Sequence, residues 1–177
     1  FYAGFWASSI DFSGFPAIEH VYGEQELDLY GGWTGPLGNS GVTADVGLLY
    51  YAYPGGHAGH AEFFEPYASL STTLGPATAK LGLAYAWGQK ALDFNADGDS
   101  DDNFYVFFDL SAGIPGTPVT VSGHAGYTDG ALSPKFATGA SAFYASGWDY
   151  NFGASYAITG SLSIGAAYHG VDGASID

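Results

Sequence analysis

Asp93, Asn95, Asp97, Asp99 and Asp101 fall at alternate positions of the stretch DFNADGDSDDNF (Asp93–Phe104), with Gly98 in the sixth place. Calcium takes about six to eight hard oxygen ligands, and a glycine permits the sharp turn that wraps them round one ion. The stretch supplies such ligands at the first, third, fifth, seventh and ninth positions of a calcium loop. The twelfth position, where a bidentate glutamate closes an EF-hand, is Phe104. Extended patterns, not helical ones, flank the loop. The EF-hand is therefore excluded and a looser calcium loop remains. Its plain alternative is a loop kept in water by its own charge.

The other reactive side chains are sparser. His57 and His60, with Glu62 two residues on, have a spacing that suits a transition metal bound by imidazole and carboxylate. Two loop histidines among glycines would look the same. His124 and His169 read as single hydrogen-bonded residues on a polar strand face, and His20 sits in a loop. No G-x-S-x-G motif marks a nucleophile, and there is no cysteine. No enzyme is expected.

Composition narrows the class. Of 177 residues only 12% are charged, against about 25% in ordinary globular domains. Aromatics make up 18%, with 14 Tyr and 13 Phe, and there are 28 Gly. Arginine is absent, and Lys80, Lys90 and Lys135 are the lysines. A formal net charge of −15 leaves no cationic surface for phosphates, which excludes nucleic acid as a partner. The length suits a single domain, 1–177. No run of about 18 apolar residues exists for a transmembrane helix.

Period-two alternation recurs nine times: in 1–11, 24–33, 42–53, 62–72, 77–88, 104–112, 118–128, 147–157 and 161–170. In Ala77–Gly88, for example, Ala79, Leu81, Leu83, Tyr85 and Trp87 oppose Thr78, Lys80, Gly82 and Ala84. Runs of roughly 9–12 residues exceed the usual strand of about 5–6 and match a tilted strand crossing a bilayer. Short turns at 34–39, 74–76, 114–117 and 158–160 alternate with longer connections at 12–23, 54–61, 89–103 and 129–146. All short turns thus lie at one end and all long loops at the other, as in an up-and-down outer-membrane barrel.

Aromatic placement agrees. Tyr50, Tyr85, Trp87, Phe104, Tyr127, Trp148, Tyr150 and Tyr168 gather on the apolar face toward the long loops, with Trp33 at the other end. Rings in that position form an interfacial girdle. A soluble β-sandwich also alternates, but with more charge and shorter strands. The expected fold is all-β, a transmembrane up-and-down antiparallel β-barrel. Nine strands cannot close such a barrel alone, so terminal strands are expected beyond this chain.

The strings FYAGFWASSIDF, ELDLYGGWTG, DVGLLYYAYPG and EPYASLS, in this order, resemble the TorF-type porin family, the Gcw_chp conserved-hypothetical outer-membrane proteins. The likeness is close from Phe1 to about Tyr85 and continues as strand pattern, including GHAGYTDG at Gly123–Gly130 and YHGVDG at Tyr168–Gly173. It implies a bacterial outer-membrane barrel of about twelve strands, with two N-terminal strands before Phe1 and a C-terminal strand after Asp177, porin-like character and no assigned chemistry or substrate. The implied surroundings are lipid bilayer and lipopolysaccharide, with a homo-oligomer or larger envelope complex as a candidate assembly.

On this reading the polar strand faces line a lumen. Glu26, Asp28, Asp45, Glu65, Asp109 and Asp149 then point inward, with Lys80 as the sole inward base. Such a lining favours cations over anions. Lys80 is expected to pair with Asp109 or Asp45, since an unpaired buried charge is costly. The expected function is passive diffusion of small polar or cationic solutes through an acidic lumen. The alternatives are a non-conducting structural or partner-binding barrel, plugged by Tyr30, Tyr51, Tyr67, Tyr105 and Phe107, and a soluble calcium-binding β domain. No cofactor is required, and Ca2+ is the candidate ligand of the acidic loop. Calcium is expected to raise the melting temperature relative to EDTA, and the D97N/D99N variant to lose that shift; equal melts of the intact protein in both buffers would refute calcium binding.

Overall fold

The computed structural model describes residues 1–11, 20, 22–56, 61–93, 98–133 and 146–171. Nine strands follow one another in chain order: β1 (Tyr2–Ser9), β2 (Gln25–Pro36), β3 (Val42–Ala52), β4 (Phe63–Leu74), β5 (Ala77–Gln89), β6 (Asp101–Gly113), β7 (Val119–Gly130), β8 (Gly147–Ala157) and β9 (Ser163–Val171). They form one sheet in which each strand pairs antiparallel with the next. The sheet is not closed: β1 and β9 are its two edges. The nine strands coincide with the nine alternating runs, within about three residues at each end. No helix among the described residues is long and apolar enough to cross a membrane.

Turn chemistry keeps the strands in step. β4 and β5 are joined by Gly75 and Pro76 alone, with Leu74 opposite Ala77. Gly75 has φ 61°, a left-handed value that a two-residue hairpin demands and that glycine takes without steric cost. The register then runs one to one along each pair, with one shift between Ala86 and Gln89. On the β4 side of the same strand, beyond the last pair Tyr67–Ala84, the Gln89 amide stands in for the ladder: Phe64 N–H donates to Gln89 Oε1 at 2.9 Å, and Gln89 Nε2 donates to Phe64 O at 2.8 Å.

Strict register sorts the side chains onto two faces. One face is apolar and exposed. The row Leu70–Leu81–Phe108 crosses β4–β6, and Val46–Ala68–Leu83–Val106–Tyr127–Trp148 crosses β3–β8. Leu81 is 56% exposed, Phe152 62% and Ile164 65%. A contiguous apolar surface across nine strands far exceeds the few hundred Å² usual on a soluble monomer. Toward the long-loop end its side chains are rings: Tyr50 packs on Phe64 (centroids 4.6 Å apart), Phe64 stacks on Trp87 (6.2 Å), and Tyr127 meets Trp148 (5.1 Å).

The opposite face is polar along most of its length, but its long-loop end holds a small core. Phe63, Ala86, Ala91, Leu92 and Ala131 cluster there, with Tyr51, Tyr53 and Leu132 packed against them. Leu92 belongs to a 3-10 turn, Lys90–Leu92, and is fully buried. Tyr22 Oη donates to Ala91 O at 2.6 Å, and the Leu132 N–H donates to Oδ1 of buried Asn103 at 3.0 Å. The acidic connection therefore does not leave β5 straight for solvent. Its first turn folds inward and buries two side chains before the carboxylates begin. Leu92→Ala should destabilise the fold by about 2–5 kcal/mol through the cavity it leaves, read as a lower midpoint in denaturant unfolding.

Candidate functional site

The polar face gathers all seven residues that the alternation assigned to one side. Cross-strand rows place them together: Ser71–Lys80–Asp109–His124–Asn151–His169 crosses β4–β9, and Tyr30–Leu49–Glu65 crosses β2–β4. Carboxylates on a strand face cost desolvation unless donors meet them. Here the donors are tyrosines.

Tyr53 Oη donates to Glu26 Oε2 at 2.8 Å, and Tyr51 Oη to Glu65 Oε2 at 3.2 Å. Burial pushes the Tyr53 hydroxyl well above the usual tyrosine range, and the hydrogen bond to Glu26 adds to it. This phenol therefore stays a donor at any ordinary pH. Tyr2 Oη donates to Asp45 Oδ1 at 2.5 Å and meets the Tyr67 hydroxyl at 2.6 Å. Asp28 lies across from Trp6 on one side and Tyr51 on the other, and its buried Oδ1 has no hydrogen-bond partner among the described residues.

Glycines make these reaches possible. Tyr2 and Tyr67 end a row whose middle places are Gly32 and Gly47, about 14 Å from end to end at ordinary strand spacing. The two rings lie down over the glycines and join at their hydroxyls. A Cβ at Gly32 would strike the Tyr2 ring, and one at Gly47 the Tyr67 ring. Phe107 covers Gly82 and Tyr105 covers Gly126 in the same way.

A second network centres on His124. Its Nδ1 contacts Asp109 Oδ1 at 2.5 Å and its Nε2 contacts Asp149 Oδ1 at 2.8 Å. Ionised carboxylates only accept, so two such contacts suit a ring that donates from both nitrogens. Tyr105 Oη adds contacts of 3.0 Å to His124 Nε2 and 3.3 Å to Asp149 Oδ1. Further along, Asn151 Nδ2 donates to His169 Nδ1 at 2.7 Å. These histidines bond carboxylates, a phenol and an amide, not a serine hydroxyl.

Lys80 departs from the expected ion pair. Asp109 is its cross-strand neighbour, but Asp109 binds His124, while Asp45 takes the Tyr2 hydroxyl. The Lys80 ammonium lies instead over the Phe107 ring, 5.4 Å from its centroid. Only the register of β6 on β7 brings His124 to Asp109. Of the tyrosine donors, the alternation puts Tyr51 and Tyr105 on the polar face but singles out neither Tyr2 nor Tyr53, and it pairs none of them with a particular acid.

In the acidic loop, Asp93 Oδ2 accepts the Gly98 N–H at 3.0 Å, and Asp99 and Asp101 are described. Asn95 and Asp97 lie outside the described residues, as do His57 and His60. Among the described residues no group of three His, Cys, Asp or Glu side chains has metal-binding geometry.

These features define an antiparallel β-sheet protein with one apolar, exposed face and one acidic, tyrosine-lined polar face. The chain belongs to the Gcw_chp family, described as a bacterial protein of unknown function, whose model matches residues 1–176. Nothing matches it among curated proteins or among solved structures. Gly126→Val should push Tyr105 and Asp149 off their places and cost about 1–3 kcal/mol by overpacking; Gly38→Val, in a turn where a Cβ meets nothing, isolates the cost of a left-handed φ alone. Denaturant midpoints of the two variants check the difference.

Proposed function

We propose that this chain forms part of a bacterial outer-membrane β-barrel of TorF type, about twelve strands in all. Its function on this reading is the passive passage of small polar or cationic solutes. The observation that carries it is the inverted polarity of the sheet: exposed leucines, valines and rings cover one face, while acids fill the other. Lipid is the solvent that makes such an outer face favourable, and the rings toward the long loops suit its interface. Lipopolysaccharide would surround the long-loop half, and a homo-oligomer or larger envelope complex is compatible with the same surface.

Charge sets the selectivity. Glu26, Asp28, Asp45, Glu65, Asp109 and Asp149 would line the lumen against Lys80 and His124, which attracts cations and repels anions. A non-conducting structural barrel is the second reading, and the buried Leu92 cluster favours it because it fills part of the polar face at the long-loop end.

Reconstitution in planar bilayers separates the two. Under a salt gradient the reversal potential should report cation preference, and D45N/D109N/D149N should bring it several-fold closer to neutrality. Silence in all salts would overturn the pore in favour of the structural barrel. Full solubility without detergent would overturn both.

A further inference from the structure

Lys80 and Asp109 face each other across β5 and β6, yet they do not meet within 4 Å. The ammonium is drawn sideways over Phe107 and has no hydrogen bond or ion pair among the described residues. Asp109 uses Oδ1 on His124, and its Oδ2 has no described partner; its side chain is 41% exposed. Both groups open on one cavity of about 360 Å³, where Ser111, Ser122 and Asn151 add hydroxyls and an amide.

We infer that this cavity binds small zwitterions, molecules with a carboxylate and an ammonium a few carbons apart. The carboxylate would meet Lys80 and the ammonium the free oxygen of Asp109, so one ligand bridges two charges that the fold keeps separate. In a chain of net charge −15 a simple anion is repelled from this face. A simple cation gains Asp109 but meets the like charge of Lys80. Only a molecule bearing both signs satisfies both groups, and the paired charges reduce the desolvation cost of each. The site stands on the polar-face geometry and deepens the pore reading by naming a solute class, without requiring conduction.

γ-Aminobutyrate, butyrate and butylammonium have the same chain length and isolate the two charges. Calorimetric titration of the full chain in detergent should give binding of γ-aminobutyrate at least tenfold tighter than either of the others. K80Q and D109N should each remove that margin, while K90Q, outside the cavity, keeps it. Equal binding of all three, or a margin that survives K80Q, overturns the site. No binding with normal conductance would mean that Lys80 and Asp109 close on each other, and the pore reading would stand without the site. Binding without conductance would keep the site and remove the pore. Circular dichroism of both variants excludes loss of fold as the cause.

Discussion

In an antiparallel sheet the backbone hydrogen bonds pair residues one to one, and every other property of this molecule depends on that pairing holding across nine strands. A residue on the polar face of β2 meets a polar-face residue on β3, which meets another on β4, and so on to β9. A slip of one residue in any hairpin would move Asp45 or Glu65 to the apolar face and Val46 or Phe64 to the polar face for the rest of that strand. The short turns guard against this. The single irregularity, between β5 and β6 after Ala86, falls at the end of β5, and on its other side the Gln89 amide ties that end to Phe64 of β4.

Once register is fixed, the acids of the polar face must be satisfied sideways, because water reaches them unevenly. The chain solves this with phenols laid flat. A tyrosine standing upright on a strand reaches away from the sheet; one lying across a glycine reaches the next strand but one. Tyr2 on β1 thereby touches Asp45 on β3, with Gly32 beneath it. In these rows glycine and tyrosine are thus one requirement seen twice. Rings covering bare backbone also restore contacts that glycine alone would forfeit in a strand.

The strands, their faces and the alternation of short and long connections were legible because period two is a local property, visible in ten residues of sequence. Lateral partners were not. Lys80 and Asp109 could be placed on one face, but which neighbour Asp109 binds depends on the β6–β7 register and on how far a side chain leans. His124 stood in the sequence as a lone residue for the same reason. The inward 3-10 turn at Lys90–Leu92 was hidden differently. Three residues carry no periodicity, and the carboxylates that follow give the whole connection the look of a solvated loop.

The two halves of the polar face divide along this boundary. Toward β3–β6 the long-loop end is filled by Phe63, Leu92 and their neighbours. Toward β7–β9 the same face carries small residues, Gly153, Gly165 and Ala167, beside cavities of about 490 and 290 Å³. On the proposed pore reading, solute passes along the second half and is excluded from the first. Lys80, Asp109 and His124 stand at the seam between them, so on the same reading a solute meets the Lys80 ammonium over Phe107 before it meets the small-residue wall. An acidic lumen alone would hold simple cations too well to release them. On that reading a fixed positive charge at the seam weakens the hold, which gives Lys80, the one lysine on the polar rows of the described strands, a physical purpose.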